Sequence, residues 1–353
     1  MPAFRTAPQI LFACCLLLSA CGGGEAQPPT DYQVPTEPLV TLRPGPPIAD
    51  YIRHIHEDQR GHLWLGTNGR GVAHYDDAQL RYYAPAQGFQ GEQITGIAED
   101  AAHNLWFATD RGAVKYEAPP AVTAAPSFTN YPAAQHFDGL RLWSIFVDSR
   151  GSVWAGTAGG IFRFDGRDWL PFALPYPETE TGDFVTPSTT WGITEDRAGH
   201  LWFSTNGHGA FRYDGQAFSQ LTEQDGLSDN SVDVILADRR GDLWFGTRFG
   251  GLSRYAGQTF TNYTSRDSLG NDEVCAVYED RAGHIWCSSE GFGVYRYDGR
   301  TFTNYSTDRG LGVTAVQAIY EDRAGRMWVG GGGGLYRLEG EYFVEVRQDG
   351  PWK

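Results

Sequence analysis

Seven tryptophans recur in one local context: Trp64, Trp106, Trp154, Trp202, Trp244, Trp286 and Trp328, separated by 42, 48, 48, 42, 42 and 42 residues. A period of this length means a repeat architecture, in which each copy is one supersecondary unit that cannot bury its apolar face alone. Six residues before each Trp stands an aspartate: Asp58, Asp100, Asp148, Asp196, Asp238, Asp280 and Asp322. The intervening residues carry turn signals, such as Arg197-Ala198-Gly199, and a small residue with Thr follows the Trp, as in Gly246-Thr247. The fourth copy predicts strands over Trp191 to Asp196, Leu201 to Thr205, Ala210 to Tyr213 and Phe218 to Leu221. Its turns have local causes: Asp196 can accept backbone N–H bonds, Gly199 can take positive φ, and Asp214-Gly215 suits a tight hairpin. A four-stranded sheet leaves its faces uncovered, whereas seven set radially cover one another and leave short edges. The expected fold is therefore all-β, a seven-bladed β-propeller of four-stranded antiparallel blades.

Composition agrees. The 45 Gly, 18 Tyr and 20 Phe favour short strands and tight turns, and no segment after residue 40 sustains a helical apolar period. A net charge of -15 argues against a nucleic-acid partner, because phosphate binding needs basic patches. No metal-ligand spacing, phosphate loop or nucleophile triad stands out, so no cofactor is expected.

The first residues read as targeting rather than fold. Arg5 gives the positive end, Ile10 to Leu18 the apolar stretch, and Leu18-Ser19-Ala20-Cys21 a small-residue cleavage site. The apolar run is shorter than the roughly 20 residues that span a bilayer. The tetrad resembles the lipobox of bacterial lipoproteins, which implies cleavage before Cys21 and a lipid on its sulfur; the alternative is an ordinary signal peptide. The expected organisation is a lipoprotein signal peptide over residues 1–20, a lipidated Cys21 with a flexible tether to residue 38, and the propeller over 39–353. That places the protein in the cell envelope, facing the periplasm or held at the outer membrane, to which Gly22 after Cys21 points by analogy. Of the other cysteines, Cys275 and Cys287 flank one hairpin turn at an even separation. A disulfide and two buried thiols are both open readings.

The succession Ile-x-Glu-Asp, turn, Leu-Trp-Phe-Gly-Thr, Gly-Leu-x-Arg-Tyr and Phe-Thr-Asn-Tyr, with linkers such as Asp225-Gly226-Leu227, resembles the two-component-regulator propeller repeat from Pro47 to Val346. The resemblance implies an extracytoplasmic sensor domain, often associated with carbohydrate fragments. No kinase, receiver or membrane helix occurs up to Lys353, so signalling is expected to need a separate sensor or envelope protein.

Antiparallel pairing sets the repeated Asp turns at one end of each blade and the divergent loops at the other. Eleven residues before each Trp stand Arg53, Thr95, Trp143, Trp191, Asp233, Cys275 and Gln317, whereas nine before it stand only Ile or Val. One position packs the core and the other is free to vary. With Arg70, Arg111, His208, Arg248, Phe249, Glu290 and Phe292 from nearby loops, these residues form a candidate ligand site of stacking aromatics among hydrogen-bonding groups. The plainer reading is that Trp143 and Trp191 plug the funnel. The insertion Ala173 to Ser188 falls at the divergent end as a candidate lid, and Ala118 to Ser127 at the other.

His62, His200 and His284 sit in repeated turns and are expected to be structural. His54 and His208 occur once each. Three functions compete: recognition of a glycan or small molecule, a lyase similar to the streptogramin lyases, and a protein-docking scaffold. The lyase would require His54 or His208 beside Glu92, Asp233 or Glu290.

Overall fold

The computed structural model describes residues 45–118, 126–176, 186, 188–266, 268–313 and 315–352. The expected signal peptide, Cys21, the expected tether and residues 39–44 lie outside these residues, as do most of the two insertions. The compact unit Leu42–Lys353 contains seven four-stranded sheets, each with its strands in sequence order and antiparallel. In the fourth blade the strands are Thr190–Glu195, Leu201–Thr205, Ala210–Tyr213 and Phe218–Leu221, within one residue of the sequence reading. Among the described residues helix is confined to one turn at Ala133–His136 and three short 3-10 turns.

The paired Asp and Trp explain themselves in the structure. In every blade the indole Nε1 donates to the aspartate six residues earlier, at 2.8–2.9 Å. The other carboxylate oxygen accepts turn N–H groups, as when Asp238 Oδ1 takes those of Arg240 and Asp242 at 2.9 Å. One side chain thus shapes the turn and fixes the ring that fills the space beside the next blade. Trp64, for example, lies against Phe107 and Tyr116 of the second blade, with ring centroids 5.7 and 4.9 Å away. Seven buried apolar clusters follow among the described residues, one between each pair of neighbouring blades. Such burial is what makes a ring of thin sheets stable.

Polar latches run round the Asp-turn end. Seven residues before the Trp, a glutamate accepts a backbone N–H from the preceding blade: Gln59 to Glu99, Ser149 to Glu195, Arg239 to Glu279, Arg281 to Glu321 and Arg323 to Glu57. The last latch joins the seventh blade to the first at 2.6 Å, and Arg323 Nη1 adds a bond to the Gln59 carbonyl at 2.7 Å. At the outer edge Pro47 bridges to Arg347, and Gln348 Nε2 donates to the Pro47 carbonyl at 3.1 Å. Trp352 then stacks on Tyr75 of the first blade, 4.1 Å between ring centroids and 12° from parallel. Closure therefore uses contacts from both ends of the described chain.

Candidate functional site

The position eleven before Trp is a β-bulge. In the innermost strands of six blades the pairing register skips one residue: between Ile52 and His54, Ile94 and Gly96, Leu142 and Ser144, Thr190 and Gly192, Val232 and Val234, and Val316 and Ala318. The skipped residues are Arg53, Thr95, Trp143, Trp191, Asp233 and Gln317. A bulged residue leaves the ladder and is re-aimed relative to the regular alternation. In the sixth blade the strand begins only at Val277, so Cys275 precedes it.

These side chains meet across blade boundaries. Trp143 and Trp191 have ring centroids 4.7 Å apart, tilted by 57°, and both are half-buried. Arg248 lies over Trp191 with its guanidinium carbon 5.0 Å from the ring centre, while its Nη2 pairs with Asp233 at 2.9 Å. The Cys275 thiol lies 3.6 Å from Asp233 and 3.8 Å from Glu273. On the far side Arg141 covers Trp143 at 4.2 Å and donates to Gln93 Oε1 at 2.7 Å. Arg53 covers Tyr51 at 5.2 Å, and its positive charge is close enough to lower the Arg141 pKa, although burial is the larger cause. The result is a graded arc: two arginines, two tryptophans, an Arg–Asp pair, then thiol and carboxylates.

The electrostatics match that grading. Burial drives the Asp233 carboxyl up to about 6 against the opposing pull of Arg248. Burial, reinforced by Asp233 and Glu273, pushes the Cys275 thiol well above its usual range, and burial with Glu273 raises Glu290. The disulfide reading is corrected here. The ladder pairs Val277, not Cys275, with Cys287, so the two thiols are free; Cys287 is buried between blades while Cys275 turns to the carboxylates.

Other candidates stand apart from the arc. Arg70 is exposed and reaches the Ile48 carbonyl at 3.3 Å, which Tyr82 of the outermost strand also engages. Arg111 is exposed beside Asp110, and Phe249 and Phe292 are exposed by 69% and 48%. His208 rests against Tyr176, ring centroids 5.2 Å apart, and burial lowers its pKa. Tyr176 Oη donates to the Ser188 carbonyl at 3.1 Å, which anchors the described flanks of the longer insertion.

Four contact residues of the arc escaped the sequence reading: Tyr51, Gln93, Arg141 and Glu273. All share the position thirteen before Trp, where the other copies have Thr189, Ser231 and Ala315. Seven copies give seven residue types there, so the variability that marked one position marked its neighbour too. A hollow of about 590 Å³ opens at the opposite end, against Glu99, His103, Glu195 and Arg323.

Among the described residues neither His54 nor His208 lies within ion-pair distance of a carboxylate. Burial and the nearby His56 push the His54 imidazole down to about 4. Its folded pKa lies below the unfolded value near 6.5, so the unfolded chain binds the proton first on acidification. The stability that His54 contributes is complete above about pH 6.5 and is lost towards pH 4, a change of about 2–3 kcal/mol. Asp233 has the opposite sign, since a raised carboxyl pKa favours the folded state as pH falls from about 6 to 3.8. Urea unfolding of the parent and of His54→Asn isolates the histidine: the stability difference between them should change across this window, and a constant difference would refute the assignment.

A family profile described as two component regulator propeller matches residues 47–69, 226–249 and 310–333. None of the curated proteins compared matches the chain in sequence. Among solved structures, the extracellular domain of a hybrid two component system from B. thetaiotaomicron aligns with a TM-score of 0.65 at 20% identity, over 82% of this chain and 40% of that one. This chain thus spans well under half of that relative's length. A streptogramin B lyase aligns at 0.63 and 16% identity, over 82% and 94% of the two chains. The virginiamycin B lyase from Staphylococcus aureus, solved catalytically inactive with quinupristin, aligns at 0.63 and 14%, over 81% and 93%. At these identities the likeness is one of fold.

Proposed function

We propose that this chain, which is built from two-component-regulator propeller repeats, is a non-enzymatic recognition propeller of the cell envelope that holds a glycan fragment or similar small molecule at its divergent end. The observation that carries this reading is the row of bulges. Six copies of one repeat spend their irregular residue on five residue types at one end, while the Asp-turn end repeats. Trp143 and Trp191 form a half-buried indole pair for the apolar side of a sugar, which would take the place of the Arg141 or Arg248 guanidinium now lying over each ring; Arg53, Arg141 and Asp233 supply donors and acceptors for hydroxyls. A site of a few polar groups around aromatics is the usual form of a small-ligand pocket. Sensor domains among the structures of similar fold, and the signal-like N-terminus, support an envelope role with the signal passed to a separate protein. The membrane attachment belongs to the same proposal and rests on Cys21.

The test is a thermal-shift screen of the purified protein against a panel of oligosaccharides. A ligand at one hundred times its Kd should stabilise the fold by about 2.7 kcal/mol. Trp143→Ala and Trp191→Ala should each reduce that shift severely while leaving the far-UV spectrum intact. A shift that both variants retain would place the ligand elsewhere and overturn the reading.

The similarity of fold to the lyases favours an enzyme as the second reading. It requires turnover that His54→Asn abolishes. Among the described residues no carboxylate lies within ion-pair distance of that ring.

A further inference from the structure

In each blade the third strand places one residue directly across from the Trp. In six blades it is a permanent cation: Lys115, Arg163, Arg212, Arg254, Arg296 and Arg337. Five of these lie over their indole at 5.4–5.8 Å, and Arg212 instead meets His200 at 3.0 Å. The first blade differs. Across from Trp64 stands His74, buried and stacked on the indole at 4.0 Å and 14°.

The substitution changes what surrounds Asp58. His74 Nε2 lies 3.1 Å from His62 Nδ1, and that nitrogen lies 3.8 Å from Asp58 Oδ2. One donor atom from each of the three residues falls within 4.8 Å of the others. Donors about 2.0–2.1 Å from a tetrahedral ion sit roughly 3.3–3.4 Å from each other, a spacing the two measured distances bracket. Asp58 is already oriented by the Trp64 indole and two turn N–H groups, the kind of outer support that metal-binding carboxylates receive. His62 keeps a quarter of its side chain exposed, which gives an ion a route in and a place for water. Blades four and six act as internal controls: His200 and His284 occupy the place of His62 and lie 3.0 Å from their aspartates, but Arg212 and Arg296 fill the place of His74.

We propose that Asp58, His62 and His74 bind one divalent transition ion of the zinc class, which supplies in the first blade the positive charge that Lys or Arg supplies in the other six. Two imidazoles and a carboxylate suit ions of this class over calcium or magnesium, which prefer all-oxygen shells. The role is structural, since the site lies beside the hairpin turn that meets the second blade.

The experiment titrates the purified, chelator-treated protein with Co²⁺ and Zn²⁺, following visible Co²⁺ absorption, heat and melting temperature. One equivalent should bind saturably, Zn²⁺ should displace Co²⁺, and the melting temperature should rise. His74→Arg restores the residue type of the other blades, so it should fold normally, bind no ion at this site and show no metal-dependent shift. His62→Gln should also lose the ion, and serves if His74→Arg folds poorly. His200→Ala should leave the stoichiometry at one. Lack of saturable binding by the parent, or binding that persists in the folded His74→Arg or His62→Gln protein, overturns the proposal.

Discussion

Trp352→Ala should destabilise the propeller by about 3–5 kcal/mol, the range for removing a large buried aromatic. Trp352 is only 7% exposed and packs in the cluster that joins the seventh blade to the first. Its ring stacks on Tyr75, its indole donates to the Gln348 carbonyl at 3.2 Å, and its own carbonyl accepts from Arg326 Nη1 at 2.9 Å. Loss of the ring therefore weakens a seam, not merely a chain end. Denaturant unfolding with hydrogen exchange checks this: protection should fall first in Ile52–Glu57 and in Tyr342–Val346, the first blade's inner strand and the seventh's outer one. Loss of less than about 1 kcal/mol would show that the glutamate latch and the Pro47 bridge close the ring without it.

The second large effect is expected at the repeated aspartate. Asp238 is 5% exposed and accepts three hydrogen bonds, from Arg240 N, Asp242 N and Trp244 Nε1. Asp238→Ala leaves these donors without their acceptor, at about 1–3 kcal/mol for each one that water cannot reach. A total near 3 kcal/mol follows, because the turn N–H groups regain some solvent. Asp238→Asn should cost about half as much: its carbonyl oxygen can keep the turn bonds, but its NH2 would face the indole N–H. Equal losses in the two variants would contradict a divided role for the two carboxylate oxygens. The same pair of substitutions in another blade should behave alike, which a urea midpoint series across blades would establish.

Much of this was legible in sequence because a repeat displays its constraints seven times over. The constant Ile or Val nine before Trp marked the core, and the constant Asp marked the turn. The partner of that Asp was not legible: nothing in the spacing alone says that an indole N–H would reach back to it. Nor was the bulge, since a skipped residue leaves the order of residue types unchanged and shifts only the pairing. That shift is what brings Arg53, Trp143, Trp191 and Asp233 out of the ladder, whereas Cys275 faces carboxylates because it lies ahead of a strand that begins only at Val277. His62 read as one of three equivalent turn histidines, and the alignment that grouped it with His200 and His284 concealed the difference ten residues after the Trp.

The sequence by itself determined the number of blades, the strands within each, and which end of every blade repeats and which varies. Those properties are periodic and local, set by hairpin chemistry and by apolar burial at fixed intervals. Only the tertiary structure decided who meets whom across blades: Trp143 with Trp191, Arg248 with Asp233, Arg323 with Glu57, and Trp352 with Tyr75. Such contacts join residues up to a whole ring apart, and their partners are fixed by closure and register, which no single copy of the repeat contains.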